Sequence, residues 1–451
     1  MQKISRVTYL KKMARSRYIF DPLYGRVYLP DFVWDIFTSP ELQRLREVRL
    51  CNINSLCLTG GGNINRYEHA IGTFHLANEC LKARPPLNPI SEKEQKLLLL
   101  AALLHDVASS AFGHSVEYIE SMHGFDHEKA FEYVTLGKKS DSYSFQFLPL
   151  EPIFFGLPRE LLKTISVEDL ELIGKIISGK TRLGKLINSP IDLDNIDNVF
   201  RMGYHIGIVR SGEVPLKLAR SLYIQGDEII LKKEAIPLVE EWYKVRKNLY
   251  LLLLLNPDEF SGKCMLTEAI EQSKSNKTSP FTWHDVDFEL LEKLKVTSSE
   301  SAELVSRLMK GDLYGCIGIF TTTIDKYNIF RNIEEKRALE ERLSGIIRDS
   351  FKPAMKSAMI AMHPILDSNK TQRAIDLKTD DGTIVHIGTP TNHLLIGVFF
   401  KNVDLSMHKI HSMPDILASK IRKKVHEYLS KELGDPSISE KELYGELKEI
   451  D

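Results

Sequence analysis

The chain has 451 residues, enough for two or three structural units, and its 60 lysines and arginines are balanced by 61 aspartates and glutamates. This balance leaves no net cationic field that would attract an anionic membrane or support nucleic-acid binding. The five cysteines show no Cys-x-x-Cys spacing, which argues against a disulfide framework and a thiolate zinc site. Residues 1–17 lack a secretory apolar segment, and no apolar run approaches the roughly 20 residues of a membrane span, so we expect a cytoplasmic protein.

The N-terminal part of the chain predicts helices joined by short turns. Residues 20–29 have the pattern of a turn followed by a short strand, and Ser39-Pro40 marks a helix start. A further helix begins near Arg66, because its apolar residues repeat at the spacing of a core-facing stripe. The segment 91–94 predicts a capping box, and the helix that it starts is expected to end at His105.

The middle of the chain continues with helical patterns from about residue 114, over 125–134, over 167–177 and from about residue 191. Residues 221–231 then predict a hairpin that turns at Gly226-Asp227. A buried helix is expected from about Ala235 to Leu255, where Pro257 stops it, and the polar stretch 271–280 predicts a surface loop.

Beyond Phe320 the pattern changes to a charged helix, a hairpin over 374–387, a strand over 394–400 and a helix over 425–433. We therefore predict a mainly α fold with a smaller α+β lobe at the C-terminus. The expected boundary separates a helical body over residues 1–325 from a lobe over residues 326–451.

An apolar run over residues 97–104 ends directly in His105-Asp106. A helix that is apolar on every side is expected to be buried, and burial of an imidazole and a carboxylate is costly unless both are bound. A metal ion would satisfy both groups. The alternative is a simple His-Asp hydrogen bond at the end of the helix.

Two other helices offer further metal ligands. His69 lies beside the core-facing stripe of its helix, and Asp194 lies on a polar face of another. That face could equally contact solvent, and Asp192 or Asp197 would be equally good ligands. Two imidazoles and two carboxylates suit Mn, Fe, Zn, Ni or Co better than Mg. The polar face consists of Asp194, Asn198, Arg201 and His205.

The order of His69, His105-Asp106 and Asp194 resembles the H…HD…D signature of the HD-domain phosphohydrolases. Flanking motifs resemble the deoxynucleoside triphosphate triphosphohydrolases, in the branch of the SAM-and-HD-domain enzyme. The resemblance runs from about residue 20 to about residue 430 and includes no SAM domain. The motifs that carry it are Asp21-Pro-Leu-Tyr-Gly25, Gln43-Arg-Leu-Arg46, Asn65-Arg-Tyr-Glu-His-Ala-Ile-Gly72, Leu104-His-Asp106 and Phe112-Gly-His114.

This resemblance implies an HD-domain helical bundle that releases nucleoside and intact triphosphate from nucleoside triphosphates. It implies one divalent transition metal, Mn, Fe, Zn, Ni or Co, bound by His69, His105, Asp106 and Asp194, with additional Mg an option on the substrate phosphates. It also implies a homo-oligomer, a nucleotide effector and single-strand nucleic-acid affinity, although the neutral charge does not support the last. The C-terminal lobe is then the expected place for regulatory or subunit contacts.

The resemblance also assigns catalytic and substrate-binding residues. His114, Glu117 and His127 match an acid–base cluster that would protonate the leaving oxygen, although each is also compatible with ordinary helix capping. Arg66 and Arg246 match arginines that contact the triphosphate, and Arg66 could instead pair with Glu68 or Glu117. The remaining substrate-binding positions are Arg49, Leu50, Asn195 and Asn198.

Several positions depart from the family pattern. Ser109 replaces a histidine, and Asn195 and Asn198 replace a lysine and a tyrosine, so the phosphate site loses one positive charge. The base pocket is expected to be more apolar and its preference to differ, and Arg49 makes the preference for deoxy sugars uncertain. At the expected base site, Met202 replaces an aspartate and Leu254-Leu255 replaces a Tyr-Gln pair. At the expected effector site, Thr38 replaces an aspartate.

Three functions are therefore compatible with the sequence. The first is a metal-dependent triphosphohydrolase of deoxynucleoside triphosphates with shifted specificity. The second is a phosphatase or phosphodiesterase that acts on another nucleotide. The third is a catalytically weak nucleotide-sensing module, which Ser109 motivates.

Overall fold

The computed structural model describes residues 17–51, 63–85, 89–113, 127–136, 157–273, 282–410 and 412–441. The structure over these ranges is mainly helical, with three small sheets, as the sequence predicts. None of the described helices combines the length and apolar character needed to cross a bilayer.

The helices are numbered here in chain order. The N-terminal half has α1 (Asp31–Phe37), α2 (Pro40–Arg44), α3 (Arg66–Ala83), α4 (Glu92–Leu104), α5 (His127–Leu136), α6 (Leu157–Leu162), α7 (Val167–Ile177), α8 (Leu193–His205) and α9 (Glu213–Ser221). The C-terminal half has α10 (Ile236–Leu255), α11 (Pro257–Ser273), α12 (Asp287–Lys295), α13 (Ser299–Lys310), α14 (Tyr327–Arg331), α15 (Ile333–Ser350), α16 (Met407–Ile410) and α17 (Asp415–Glu432).

The strands form one hairpin and two four-stranded sheets. One sheet has the order β3-β4-β7-β8, in which β4 and β7 are parallel, and the other has the order β10-β5-β9-β6. Both sheets therefore combine strands from before and after residue 325. The strands are β1 (Tyr18–Asp21), β2 (Gly25–Tyr28), β3 (Leu222–Gln225), β4 (Glu228–Leu231), β5 (Gly315–Thr322), β6 (Ile360–Ser368), β7 (Ile375–Thr379), β8 (Ile384–Ile387), β9 (Asn392–Phe400) and β10 (Ser439–Glu440).

Local sequence signals predicted several elements correctly. The Ser91 hydroxyl oxygen accepts the backbone N–H of Glu94, and the backbone N–H of Ser91 donates to the Glu94 carboxylate, which confirms the capping box of α4. Helix α7 has the predicted bounds, and β3 and β4 form the predicted hairpin. The hairpin predicted near residue 380 corresponds to β7 and β8, whose strands pair in antiparallel register.

Helix α11 was not predicted, because Pro257 was interpreted only as a helix stop. Proline lacks the N–H that a helix interior needs, but at the first helical position that group has no intrahelical partner anyway. The side-chain oxygen of Asn256 accepts the backbone N–H of Asp258 at 2.9 Å and so caps the new helix. The predicted loop therefore begins too early, since Glu271 still lies in the last turn of α11.

Helices α3, α4 and α8 pack together in the main hydrophobic core and position the site. The apolar run of α4 is buried on all sides, as predicted, and its end brings His105 into the interior. Gly72 permits the close approach of α3 to α8, because a Cβ atom at this residue would lie 1.9 Å from the Asp197 carboxylate. A second core lies between the β10-β5-β9-β6 sheet and helices α15 and α17.

Candidate metal centre

Three helices bring the predicted ligands together. His69 lies in α3, His105 is the residue at the C-terminal end of α4, and Asp194 lies in the first turn of α8. His69, His105 and Asp106 are buried, and their ligand atoms all lie within 4.8 Å of one another. These three residues can therefore hold a metal ion.

The Nε2 atoms of the two histidines lie close to each other and to carboxylate oxygens of Asp106 and Asp194. The Nε2 atoms of His69 and His105 are 3.2 Å apart. Asp194 Oδ1 lies 2.8 Å from His69 Nε2 and 3.6 Å from His105 Nε2. Asp106 Oδ2 lies 3.7 Å from His105 Nε2.

The other nitrogen of each imidazole is bonded to the protein. Asp197 Oδ2 lies 2.7 Å from His69 Nδ1, and the carbonyl of Ala102 lies 2.9 Å from His105 Nδ1. Both contacts suit a ring that donates from Nδ1, which leaves each Nε2 as a ligand atom. A carboxylate behind a metal-binding histidine also fixes the orientation of its ring.

Asp106 is held by two neighbouring side chains. Arg66 donates from Nη1 to Asp106 Oδ1 at 2.6 Å, and the Ser109 hydroxyl donates to the same oxygen at 3.0 Å. These bonds engage Oδ1 and leave Oδ2 towards the imidazoles. Arg66 therefore pairs with the predicted ligand Asp106, and Ser109 orients the same carboxylate. Glu68 contacts Arg201 and His205, and Glu117 lies outside the described residues.

Asp197 anchors a buried ion-pair network behind His69. Arg201 donates to Asp197 from Nε at 2.9 Å, and its Nη1 lies 2.6 Å from Glu68 and 3.0 Å from Asp21. The side chain of Arg201 is fully buried. The face of α8 that could have contacted solvent is therefore partly an internal surface.

The segment after Asp106 is fastened to two other parts of the chain. Arg44 donates to the carbonyl of Ser109 at 2.6 Å, and the carboxylate of Asp287 accepts the backbone N–H of Phe112 at 2.7 Å. Gly113 has a φ of +45°, and a Cβ there would lie 2.3 Å from Arg66 Nη2. Glycine is therefore required where the backbone passes the arginine that holds Asp106.

The charges around the imidazoles favour a bound cation. Burial alone lowers the pKa of His69, but hydrogen bonds to Asp194 and Asp197 raise it to about 10. Burial also lowers the pKa of His105, but the charges of Asp106 and Asp194 outweigh it and raise the pKa overall. The two imidazoles hold the pKa of Asp194 well below its usual range despite its burial. A site that binds a proton so strongly also attracts a divalent cation to the same atoms.

The three aspartates of α8 have different positions. Asp192 is the N-cap residue, where its carboxylate accepts the backbone N–H of Asn195 at 2.7 Å. Asp197 faces Nδ1 of His69, and Asp194 faces Nε2. The sequence left all three open as ligands, and of the three only Asp194 points to the convergence of the two imidazoles.

The predicted substrate-binding residues are dispersed around α8. The side-chain amide of Asn195 donates to Asp192 at 3.0 Å, and the buried Oδ1 of Asn198 lacks a hydrogen-bond partner among the described residues. Arg246 donates to the carbonyls of Lys370 and Asn369 at 2.6 and 3.0 Å. Its guanidinium group therefore fastens a segment of the C-terminal lobe.

Arg49 and Leu50 lie near the segment that follows Asp106. The backbone N–H of Arg49 donates to Asp287 at 3.1 Å, and its guanidinium lies 5.8 Å from the ring centroid of Phe112. Leu50 packs against the main core. His114 and Glu117 lie outside the described residues, and His127 begins α5 without a described side chain.

Sequence reasoning missed the supporting roles of Arg44, Asp197 and Asp287. The spacing of Asp197, three residues after Asp194, did indicate a residue near the ligands, but not the ring nitrogen that it contacts. Arg44 and Asp287 act on a segment far from them along the chain, so no local signal could have found them.

The donor set fits a divalent transition metal. Two imidazole nitrogens and carboxylate oxygens form a mixed nitrogen–oxygen site, which suits Mn, Fe, Zn, Ni or Co. Oriented rings and an oriented carboxylate are the supporting contacts that such sites have in proteins.

Comparison with known proteins agrees with this geometry. The HD domain is the family whose pattern matches the chain, over residues 66–178. The chain is 26% identical over 300 residues to the uncharacterized protein YwfO of Bacillus subtilis, which covers 65% of this chain and 64% of that protein. It is 22% identical over 333 residues to the "Deoxynucleoside triphosphate triphosphohydrolase SAMHD1 homolog" of Dictyostelium discoideum, covering 69% and 62% of the two chains.

Solved structures share the fold at low sequence identity. A phosphohydrolase from Bacteroides thetaiotaomicron matches with a TM-score of 0.59 and 17% identity, over 86% of this chain and 100% of that chain. A hypothetical protein from Aquifex aeolicus matches with a TM-score of 0.62 and 17% identity, over 91% and 100%. The matches to the curated relatives span 64% of YwfO and 62% of the Dictyostelium protein, just under two thirds of their lengths.

The HD pattern covers the histidine of α3 and the His105-Asp106 pair, and the relatives carry the same fold around it. The predicted resemblance is therefore confirmed: the chain contains an HD domain over residues 66–178 and is similar, at low identity, to a solved phosphohydrolase and to a deoxynucleoside triphosphate triphosphohydrolase homolog.

Proposed function

We propose that the protein hydrolyses deoxynucleoside triphosphates to deoxynucleoside and inorganic triphosphate. The observation that carries this proposal is the convergence of His69 Nε2, His105 Nε2 and Asp194 Oδ1 beside Asp106. The name of the Dictyostelium relative supports the substrate class. The proposed cofactor is one divalent transition metal bound by these four residues, with Mg an option on the substrate phosphates.

A metal in this position supplies Lewis acidity towards a phosphate oxygen and a nucleophilic water. The residues of the chain supply the orientation. Asp197 holds the ring of His69, while Arg66 and Ser109 hold the carboxylate of Asp106. Because these contacts exist before substrate binds, little reorganisation is required during the reaction.

We further propose that His114, Glu117 and His127 protonate the leaving 5′ oxygen, since an imidazole with an acidic partner is suited to this step near neutral pH. A homo-oligomer and a nucleotide effector are proposed from the resemblance to the triphosphohydrolases. The residues proposed to contact substrate are Arg49, Leu50, Arg66, Asn195, Asn198 and Arg246.

A nucleotide-sensing module with weak catalysis is the second candidate. Ser109 favours the sensing module. Its hydroxyl donates to Asp106 rather than towards a substrate phosphate, and a serine cannot replace an acid–base histidine near neutral pH. A phosphatase or phosphodiesterase that acts on another nucleotide would differ in its products.

The test is a panel of deoxynucleoside and nucleoside triphosphates, incubated with the metal-loaded protein and analysed by mass spectrometry. We expect nucleoside and inorganic triphosphate in equal amounts. His69→Ala is expected to lose bound metal and to reduce hydrolysis to background. His386→Ala, which removes an exposed imidazole from β8, is the control and is expected to retain both.

Release of nucleoside monophosphate or inorganic phosphate would contradict the proposal and indicate a phosphatase or phosphodiesterase. Tight nucleotide binding without any product would replace it with the sensing module. Hydrolysis that persists in His69→Ala would contradict the metal assignment.

A further inference from the structure

Four cationic side chains meet where α10 and α11 contact the segment between β6 and β7. We call them the cation cluster: Arg246 in α10, Lys263 in α11, and Lys370 and Arg373 in that segment. Arg246 is buried, stacks 4.2 Å from the ring centroid of Tyr250, and donates to two backbone carbonyls of the segment. The C-terminal lobe is thereby fastened to the helical body through a cation.

The cation cluster borders the first turn of α8, which carries Asp194. Arg373 donates from Nη1 to the carbonyl of Pro190 at 3.0 Å, three residues before α8 begins. From α10, the indole of Trp242 donates to the carbonyl of Asn195 at 3.2 Å, and Arg246 lies one helical turn, about 6 Å, further along. These contacts join Arg373, and the helix that carries Arg246, to the start of α8, where Asp194 lies.

Among the described residues, none of the four cations forms an ion pair with a carboxylate, although the charges of Glu259 and Asp367 raise the pKa values of Lys263 and Lys370. Burial is the main cause that lowers the pKa of Lys263 to about 8. The charge of Glu259 opposes this shift, and the charge of Lys370 makes a smaller contribution in the same direction as burial. Burial and the charge of Arg373 also lower the pKa of Arg246. Cations that depress one another in this way gain free energy when an anion binds between them.

The carboxylate of Asp367 is engaged by the segment itself. It accepts the backbone N–H groups of Lys370 and Thr371 at 3.0 and 2.9 Å, and the hydroxyls of Thr371 and Thr391. The surrounding protein lowers the pKa of the Lys370 ammonium, although its side chain remains accessible to solvent. Lys370 is therefore a cation presented from a firmly built segment.

The segment also carries an unsatisfied polar group. Asn369 has a φ of +56°, and within the described part of the chain its buried Oδ1 has no hydrogen-bond partner. Buried polar atoms without a partner are uncommon in proteins and often mark the position of a ligand or water. The amide of Asn369 thus adds a polar contact beside the unbalanced cations.

We propose that Lys370 binds the terminal phosphate of the substrate's triphosphate chain, so that the C-terminal lobe contributes a residue to the substrate site. Arg246 and Arg373 hold the segment in position. Lys263, whose ammonium donates to the carbonyl of Leu253 at 2.8 Å, contributes positive charge. This inference rests on the proposed hydrolysis of nucleoside triphosphates and extends it to the residue that recognises the phosphate chain.

The test compares Lys370→Ala and Lys370→Arg with the wild-type metal-loaded protein. Because a charge-assisted hydrogen bond is lost, we expect Lys370→Ala to raise KM for the substrate about tenfold and to change kcat less than about threefold. The Kd for inorganic tripolyphosphate, measured by calorimetry, is expected to rise by about the same factor. Lys370→Arg keeps the charge and is expected to stay within about threefold of wild type in both measurements.

Lys423→Ala is the matched control, because it removes an exposed lysine from α17 of the same lobe. It is expected to change neither KM nor the tripolyphosphate Kd. Unchanged values in Lys370→Ala, with an active wild-type protein, would overturn the assignment of Lys370 and leave the proposed function intact. Lys370-dependent binding of tripolyphosphate by a protein that hydrolyses no triphosphate would support the phosphate site and refute the proposed function.

Discussion

The candidate metal centre and the cation cluster are both rich in charge, but only the first has its charges matched. His69 lies between two carboxylates, and Arg201 contacts Asp197, Asp21 and Glu68. In the cation cluster, Asp367 accepts backbone N–H groups of its own segment, and burial, with a smaller contribution from neighbouring cations, lowers the pKa values of Lys263 and Arg246. The comparison shows one region organised by internal ion pairs and another whose cations form no ion pair with the described carboxylates.

The difference follows from the cost of burying charge. A buried ion pair is stable when each charge has well-placed partners, and removal of one partner typically costs about 3–5 kcal/mol. Matched charges therefore hold the metal ligands in a single arrangement. Unmatched cations instead retain a free energy of repulsion that an anionic ligand can remove.

Gly72→Ala gives the largest expected effect, because it disrupts the matched region by shape alone. The new Cβ would lie 1.9 Å from Asp197 Oδ1 and 2.2 Å from Arg201 Nη2, so the ion pair must separate. We expect the free energy of unfolding to fall by about 3–5 kcal/mol in chemical denaturation. Gly345→Ala in α15, where the nearest atom lies 4.0 Å away, is the control and is expected to be neutral or slightly stabilising. Equal stability of the two variants would mean that the network tolerates displacement.

Lys263→Met tests the cation cluster through the pH dependence of the free energy of unfolding. The pKa of Lys263 is about 8 in the folded protein against 10.5 for an ordinary lysine. The unfolded chain binds more protons between these values, so the wild type gains stability as pH rises from about 8 to 10.5. Below pH 8 the folded protein is destabilised by the full cost of burying the charged Lys263 ammonium, about 3 kcal/mol.

We therefore expect the stability of Lys263→Met relative to wild type to be about 3 kcal/mol more favourable at pH 7 than above pH 10.5, in phosphate-free buffer. Denaturant titrations at several pH values measure this difference. Lys423→Met, on the surface of α17, serves as the control. A difference that does not vary with pH would show that the charge of Lys263 is already compensated.

Asp197→Asn tests whether the matched network serves the metal. It removes the carboxylate behind His69 Nδ1, and we expect the affinity for Mn²⁺ to fall about 10–100-fold in competition with a chelator. Asp21→Asn removes a carboxylate from the same arginine without contacting His69, and it is expected to lower stability while metal affinity stays within about threefold. Equal losses of metal affinity in both variants would assign Asp197 a structural role only.

Elements with strong local signals could be predicted from the sequence. The capping box of α4, the bounds of α7 and the β3-β4 hairpin each depend on residues within one short segment. Helix α11 was missed, because a proline can either end one helix or begin the next, and Pro257 begins α11. Strand β5 belongs to a sheet whose other strands lie far along the chain, so no local pattern could place it.

The sequence by itself determined the chemistry of the candidate site: two histidines and nearby aspartates in an order that indicates a metal-dependent phosphohydrolase. Only the tertiary structure decided the position of each aspartate of α8, as helix cap, as neighbour of Nε2 or as neighbour of Nδ1. It also brought Arg246 of α10 to the backbone of Lys370, and Arg373 to Pro190 just before α8. The reason is that residue type and spacing fix which atoms can bind, whereas burial and charge depend on segments that meet only in the folded chain.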